Sequence, residues 1–97
     1  MEWKIEIDED AFKEIEEALD YYFEKNPAVA DRIGSEISKA LRAISSNPFF
    51  AIRYGNTRCL PLSSFPYMIH FIVDQNTKNV SIVGCIHTSL DPEKKWK

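Results

Sequence analysis

The spacing of the hydrophobic residues predicts two amphipathic helices in the first half of the chain. Asp8 is the predicted N-cap of the first helix. Asn26-Pro27 separates the helices, because Asn suits a cap and Pro suits the first helical position, and Asn47-Pro48 ends the second. Two helices with almost no linker form an antiparallel hairpin. Apolar side chains recur every three or four positions, at Phe12, Ile15, Leu19, Tyr22 and Phe23 and again at Ala30, Ile33, Ile37, Ala40, Leu41 and Ile44.

A hydrophobic period of two predicts β-strands on both sides of this hairpin. Gly55-Asn56 is a predicted turn, and Pro61 marks a strand end or a sheet edge. One strand, two helices and three strands joined by short loops predict an α+β fold, β-α-α-β-β-β. We expect an antiparallel sheet that carries the helical hairpin on one face. The predicted strands are Trp3–Ile7, Thr57–Leu62, Tyr67–Val73 and Val80–Ile86.

Length and composition limit the class of protein. With 97 residues, of which 44% are hydrophobic, the chain is expected to form one domain over residues 1–97. Its longest apolar run, Tyr67–Val73, is far shorter than the ~20 residues of a membrane span. The N-terminus is acidic and alternating, unlike a signal peptide. Two cysteines do not build a disulfide scaffold, so we expect a reduced, cytoplasmic protein.

The charges are distributed unevenly along the chain. Residues 1–46 carry twelve acids and six bases, a net charge of −6, whereas residues 47–97 carry three acids and six bases, a net charge of +3. A basic half can present a local positive patch to an anion. Within it, Arg53 and Arg58 could contact a phosphate or a carboxylate. The alternative is that the acidic helices and the strand arginines are ordinary solvated surface.

The sequence lacks the common short motifs for cofactor, phosphate or metal binding. It has no Gly-rich phosphate loop, no Cys-x-x-Cys pair and no His-Glu-x-x-His helix, so neither a cofactor nor a metal is expected. Cys59 and Cys85 are interpreted as small apolar strand residues, and His70 as a hydrogen-bonded, half-buried one. His87 immediately follows the last predicted strand, where side chains emerge at a sheet end. It is either a hydrogen-bonding residue or a catalyst.

Short motifs also occur in a characteristic order along nearly the whole chain. They are Asn26-Pro27-x-x-Ala30, Asn47-Pro48, Arg58-x-Leu60, Phe65-Pro66-Tyr67-x-Ile69-x-Phe71-x-Val73-Asp74, and Val83-x-x-Ile86-His87 followed by Asp91-Pro92-x-x-x-Trp96. In this order and spacing, residues 4–96 resemble the RelE/ParE superfamily of small toxins from bacterial and archaeal toxin–antitoxin modules. The closing His87, Asp91-Pro92 and Trp96 are most similar to the ParE, or plasmid-stabilisation, branch. The resemblance implies the fold predicted above.

The resemblance also implies a type II toxin that inhibits growth and is neutralised by a cognate antitoxin. ParE-like members are thought to poison DNA gyrase by binding it, whereas RelE-like members cut mRNA on the ribosome. The nucleases typically have an Arg at the start of the central strand, where this chain has Met68. We therefore expect gyrase binding rather than cleavage. If the chain is a nuclease, the expected catalytic residues are His87, Arg58 and Arg53.

A third hypothesis is an inactive interaction module that only pairs with an antitoxin or with itself. The compatible assemblies are a homodimer and a heterotetramer with the antitoxin.

For an active toxin, the expected target-binding residues are Arg58, His87, Lys94 and Lys95. In that hypothesis Trp96 docks the C-terminal segment on the sheet and holds the two lysines beside the other two residues. The alternative is a solvated tail with one packed ring.

Overall fold

The structure is a computed structural model that describes residues 2–88. Two helices lie on one face of a five-stranded sheet with the strand order β1-β5-β4-β3-β2. Within the described residues, no helix is long and apolar enough to cross a membrane. Along the chain the elements are β1 (Lys4–Ile7), α1 (Glu9–Lys25), α2 (Pro27–Ser46), β2 (Ile52–Tyr54), β3 (Thr57–Pro61), β4 (Tyr67–Asp74) and β5 (Asn79–His87).

The predicted α+β fold is confirmed, with two differences in the sheet. The sheet is antiparallel except at β1, which pairs parallel to β5 from Ile5 opposite Val80 to Ile7 opposite Ile82. Short loops force consecutive strands to be antiparallel, but β1 is separated from β5 by both helices and three strands, so no loop restricts its direction. The second difference is β2, a three-residue edge strand too short to show a period of two.

The predicted helix boundaries follow from local capping. The Asn26 side chain accepts a hydrogen bond from the Ala28 N–H at 3.0 Å, and Pro27 occupies the first turn of α2. Asp8 precedes α1 as its N-cap without a side-chain hydrogen bond, and Asn47 caps the end of α2. Gly55 forms the β2–β3 turn with φ +54°, a conformation that glycine adopts without steric cost.

The core lies between the helices and the sheet. It contains Ala11, Ile15 and Ala18 of α1, Ile33, Ile37, Ala40 and Ile44 of α2, and Ile69, Phe71, Val80, Ile82 and Cys85 of the sheet. The prediction that Phe12 and Phe23 belong to the buried face of α1 was wrong, because these side chains are 52% and 61% exposed. Small alanines instead face the sheet and allow α1 to approach it closely.

The central strand β4 is buried on both faces, as its sequence predicted. Ile69 and Phe71 face the helices, and the alternation of side chains places Met68 and His70 on the opposite face. His70 is fully buried rather than half-buried, and its Nδ1 lies 3.1 Å from the Tyr54 hydroxyl and 3.4 Å from Cys59 Sγ. This pair of contacts ties β2 and β3 to the centre of the sheet.

Candidate functional site

A groove runs between α1 and the end of β5, and His87 is one of the residues that line it. His87 is opposite Tyr67 in the β4–β5 ladder, and the two rings meet edge to face with their centroids 5.2 Å apart. Burial raises the pKa of the Tyr67 hydroxyl above its ordinary value, so this phenol remains protonated at neutral pH. The groove is lined by Glu14, Glu17, Ala18 and Tyr21 of α1 and by Tyr67, Cys85, Ile86 and His87 of the sheet.

The groove exists because β1 covers only part of the β5 edge. The β1–β5 pairing ends at Ile82, and β5 is irregular near Gly84. Beyond that point the Glu14 carboxylate accepts a hydrogen bond from the Cys85 N–H at 3.0 Å. A Cβ at position 84 would lie 3.3 Å from the Ile86 side chain and 3.4 Å from the Glu14 oxygen, so the tight neighbour of this glycine is Ile86. Burial, and secondarily Glu14, raises the pKa of the Cys85 thiol to about 11.

Arg58 lies in a different part of the sheet. Arg58 of β3 is opposite Phe71 of β4, whereas His87 of β5 is opposite Tyr67 of β4. Phe71 and Tyr67 are four residues apart, which corresponds to roughly 13 Å along β4. Arg58 and His87 are also on opposite sides of this central strand. The Arg58 Nη1 donates a hydrogen bond to the Phe50 carbonyl at 2.7 Å, and its guanidinium lies 5.3 Å from the centre of the Phe49 ring. Arg58 therefore holds the segment between α2 and β2 against the sheet.

Arg53 is exposed on β2 and lines a shallow depression with Cys59, Pro61 and Met68. This depression lies on the sheet face opposite the helices, because Met68 and Cys59 share that face. Buried Met68 supplies an apolar thioether, which cannot neutralise a phosphate.

The candidate catalytic residues thus occupy three separate places. His87 is in the groove beside α1, Arg58 is near the end of α2, and Arg53 is on the opposite sheet face. The remaining candidates, Lys94 and Lys95, and also Trp96, lie outside the described residues. Within residues 2–88, no group of three or more His, Cys, Asp or Glu side chains could hold a metal ion.

Sequence reasoning missed Glu14 and Tyr67, which shape the groove around His87. Glu14 is one of seven acids on α1, and its periodicity is that of a solvated helix face. The Phe65-Pro66-Tyr67 motif did mark Tyr67, but only as part of the strand. The pairing of Tyr67 with His87 depends on the β4–β5 register, which no local sequence signal reveals.

Comparisons with known proteins agree on the family of this fold. A family model described as "ParE toxin of type II toxin-antitoxin system, parDE" matches residues 5–92. A chain of the chromosomal ParDE system from P. aeruginosa is similar in structure, with a TM-score of 0.74 and 17% identity, covering 88% of this chain and 95% of that chain. A chain of the RelBE2 toxin–antitoxin complex from Mycobacterium tuberculosis has a TM-score of 0.61 and 13% identity, covering 90% and 99%. No curated protein matches the sequence.

Proposed function

The chain belongs to the ParE toxin family of type II toxin–antitoxin systems, and on this premise we propose that it inhibits growth by binding DNA gyrase without cleaving RNA. The proposed target-binding residues are Arg58, His87, Lys94 and Lys95. His87 ends the last strand and leads directly into the segment that carries the two lysines. Arg58, on another part of the sheet, would make a separate contact.

The separation of Arg58 from His87 is the observation that carries this proposal. Cleavage of an RNA phosphodiester needs a base, an acid and a cation within hydrogen-bond reach of one phosphate. Arg58 and His87 pair with β4 residues that are roughly 13 Å apart along that strand. The Arg58 guanidinium already donates a hydrogen bond to the Phe50 carbonyl. Glu14 and Glu17 line the same groove as His87, and their carboxylates would repel the phosphate backbone. This arrangement favours protein binding over phosphodiester chemistry.

The proposed partner that neutralises the toxin is a cognate antitoxin. Both structural relatives come from toxin–antitoxin systems. We expect an extended antitoxin segment with an amphipathic helix to cover the helical hairpin and a sheet edge. Phe12 and Phe23, which are 52% and 61% exposed on α1, supply apolar anchors for such a helix.

A DNA supercoiling assay with purified gyrase tests the target. We expect the full chain to inhibit supercoiling, and the double variant Lys94→Ala/Lys95→Ala to lose inhibition at an unchanged melting temperature. The matched control is Lys39→Ala/Arg42→Ala, which removes two positive charges from exposed positions on α2. If both double variants inhibit like the parent chain, the two C-terminal lysines do not contact the target.

A translation assay separates this function from the nuclease alternative. Ribosomes stalled on an mRNA are incubated with the chain, and the message is mapped by primer extension. We expect no cuts. Discrete cuts at A-site codons that disappear in His87→Ala would replace the proposal with a RelE-like activity. If expression of the soluble chain leaves growth normal while antitoxin binding persists, the chain is an inactive interaction module.

A further inference from the structure

The groove between α1 and β5 combines apolar side chains, carboxylates and one edge of β5. Within residues 2–88, β5 beyond Ile82 is paired with β4 on one side and faces α1, rather than another strand, on the other. Tyr21 is 53% exposed at this edge, and Ala18 and Tyr67 add apolar surface. An apolar floor beside an open strand edge is suited to an extended peptide segment.

The charges of the groove favour a basic occupant. Helix α1 carries seven acids and only two bases. Glu14 and Glu17 line the groove, and neither forms a salt bridge within the part of the chain that the structure describes. A lysine-containing segment would neutralise these carboxylates, and an aromatic side chain in the same segment would pack against the tyrosines.

The sequence that follows β5 has this composition. Residues 94–97 are Lys-Lys-Trp-Lys, and Lys94 is the sixth residue after Thr88. Six residues span at most about 20 Å. His87 itself lines the groove, so the segment begins at the site and its lysines are within reach.

We propose that the groove between α1 and β5 binds the chain's own C-terminal segment, with Lys94 and Lys95 against Glu14 and Glu17 and with Trp96 against the tyrosines. Docked lysines are neutralised by α1, so an anionic partner has to compete with the groove for them. The docking thereby lowers the positive charge that the free toxin presents. It does not depend on which cellular target the toxin binds.

The test measures the order of the tail in the purified full chain by ¹⁵N relaxation of the Lys95 backbone and the Trp96 indole. In the parent chain we expect order parameters near the rigid value of about 0.85, and in Glu17→Lys below about 0.6. The matched control is Glu16→Lys, which makes the same charge change at an exposed neighbouring position and should leave the tail ordered. Combining Glu17→Lys with either Lys94→Glu or Lys95→Glu should restore order in the combination that re-forms an opposite-charge pair, while the other lysine keeps its place against Glu14.

A second measurement locates the tail. A zero-length carbodiimide reagent should join Lys94 or Lys95 to Glu17 within one chain, with loss of that product in 0.5 M salt, because exposed ion pairs are screened. A parent tail with order parameters below about 0.6 would overturn the proposal. Equal loss of order in the C-terminal segment of Glu17→Lys and of Glu16→Lys would also overturn the proposal. These readouts involve neither gyrase nor toxicity, so they fail or succeed independently of the proposed function.

Discussion

The Glu14 carboxylate on α1 holds the backbone N–H of Cys85 in β5, with a distance of 3.0 Å between Oε1 and N. The two residues are 71 positions apart, and their contact replaces the strand pairing that β1 no longer provides beyond Ile82. It fixes α1 against the open end of β5 and so sets the width of the groove beside His87. A carboxylate hydrogen bond of this kind is stronger than one between neutral groups.

Glu14→Ala should destabilise the fold by about 1–3 kcal/mol, because it leaves the Cys85 N–H without its acceptor in a part-buried position. Glu14→Gln retains an acceptor oxygen and should lose less than Glu14→Ala. Urea unfolding monitored by circular dichroism measures both. Glu16→Ala is the control on the exposed side of α1 and should stay within about 0.5 kcal/mol of the parent. Equal stability of Glu14→Ala and Glu16→Ala would show that the carboxylate contact contributes nothing.

The Cys85 thiol should make the fold less stable at alkaline pH. Burial raises its pKa from 9.0 to about 11. Between these values the native thiol keeps its proton while the unfolded thiol loses it, so rising pH favours unfolding. The stabilising effect is complete below about pH 9 and disappears toward pH 11.

Urea unfolding across this pH range tests the effect. The parent chain should lose on the order of 2 kcal/mol more than Cys85→Ala between the two pH values. The slope is the change in the free energy of unfolding with pH. Comparing the slopes of the two chains removes the constant cost of truncating a buried side chain. A parent slope equal to that of Cys85→Ala would mean that the native thiol titrates normally.

Local sequence signals predicted most of the fold but little of the site. Asn26-Pro27 and Asn47-Pro48 fixed the helix ends because capping depends on neighbouring residues. The exposure of Phe12 and Phe23 could not be predicted from periodicity. Ala11 and Ala18 are also apolar, and they occupy the buried face of α1 because their small side chains allow closer packing against the sheet. The Glu14–Cys85 contact and the Tyr67–His87 pair depend on long-range register, which hydrophobic spacing does not encode.

Replacing Lys78 by glycine should stabilise the chain. Lys78 has φ +57°, in the left-handed region where a side chain costs roughly 1 kcal/mol, and it lies in the turn that leads into β5. Glycine removes this cost but loses more backbone entropy on folding, so we expect a gain of about 0.5 kcal/mol. Thermal unfolding followed by circular dichroism should give a higher Tm for Lys78→Gly. Lys39→Gly, on the exposed side of α2, should instead lower the Tm, because glycine weakens a helix interior.

Arg58 should prove to be a structural residue as well as a proposed target contact. Its Nη1 donates a hydrogen bond to the Phe50 carbonyl at 2.7 Å, and its guanidinium carbon lies 5.3 Å from the centre of the Phe49 ring. Arg58→Ala should therefore destabilise the fold by about 1–3 kcal/mol, whereas Arg42→Ala at an exposed position of α2 should change stability by less than about 0.5 kcal/mol.

Arg58→Lys separates the two roles. Lysine keeps the positive charge for an anionic target surface, but it lacks the planar fork that bonds the carbonyl while lying over the ring. If charge at this position serves the target, Arg58→Lys should inhibit gyrase nearly as well as the parent chain while its Tm falls. If the residue serves only the fold, inhibition by Arg58→Ala and Arg58→Lys should be unchanged at temperatures well below either Tm. Loss of inhibition in Arg58→Ala with no change in Tm would contradict the structural role, because the Phe50 and Phe49 contacts would then contribute nothing to stability.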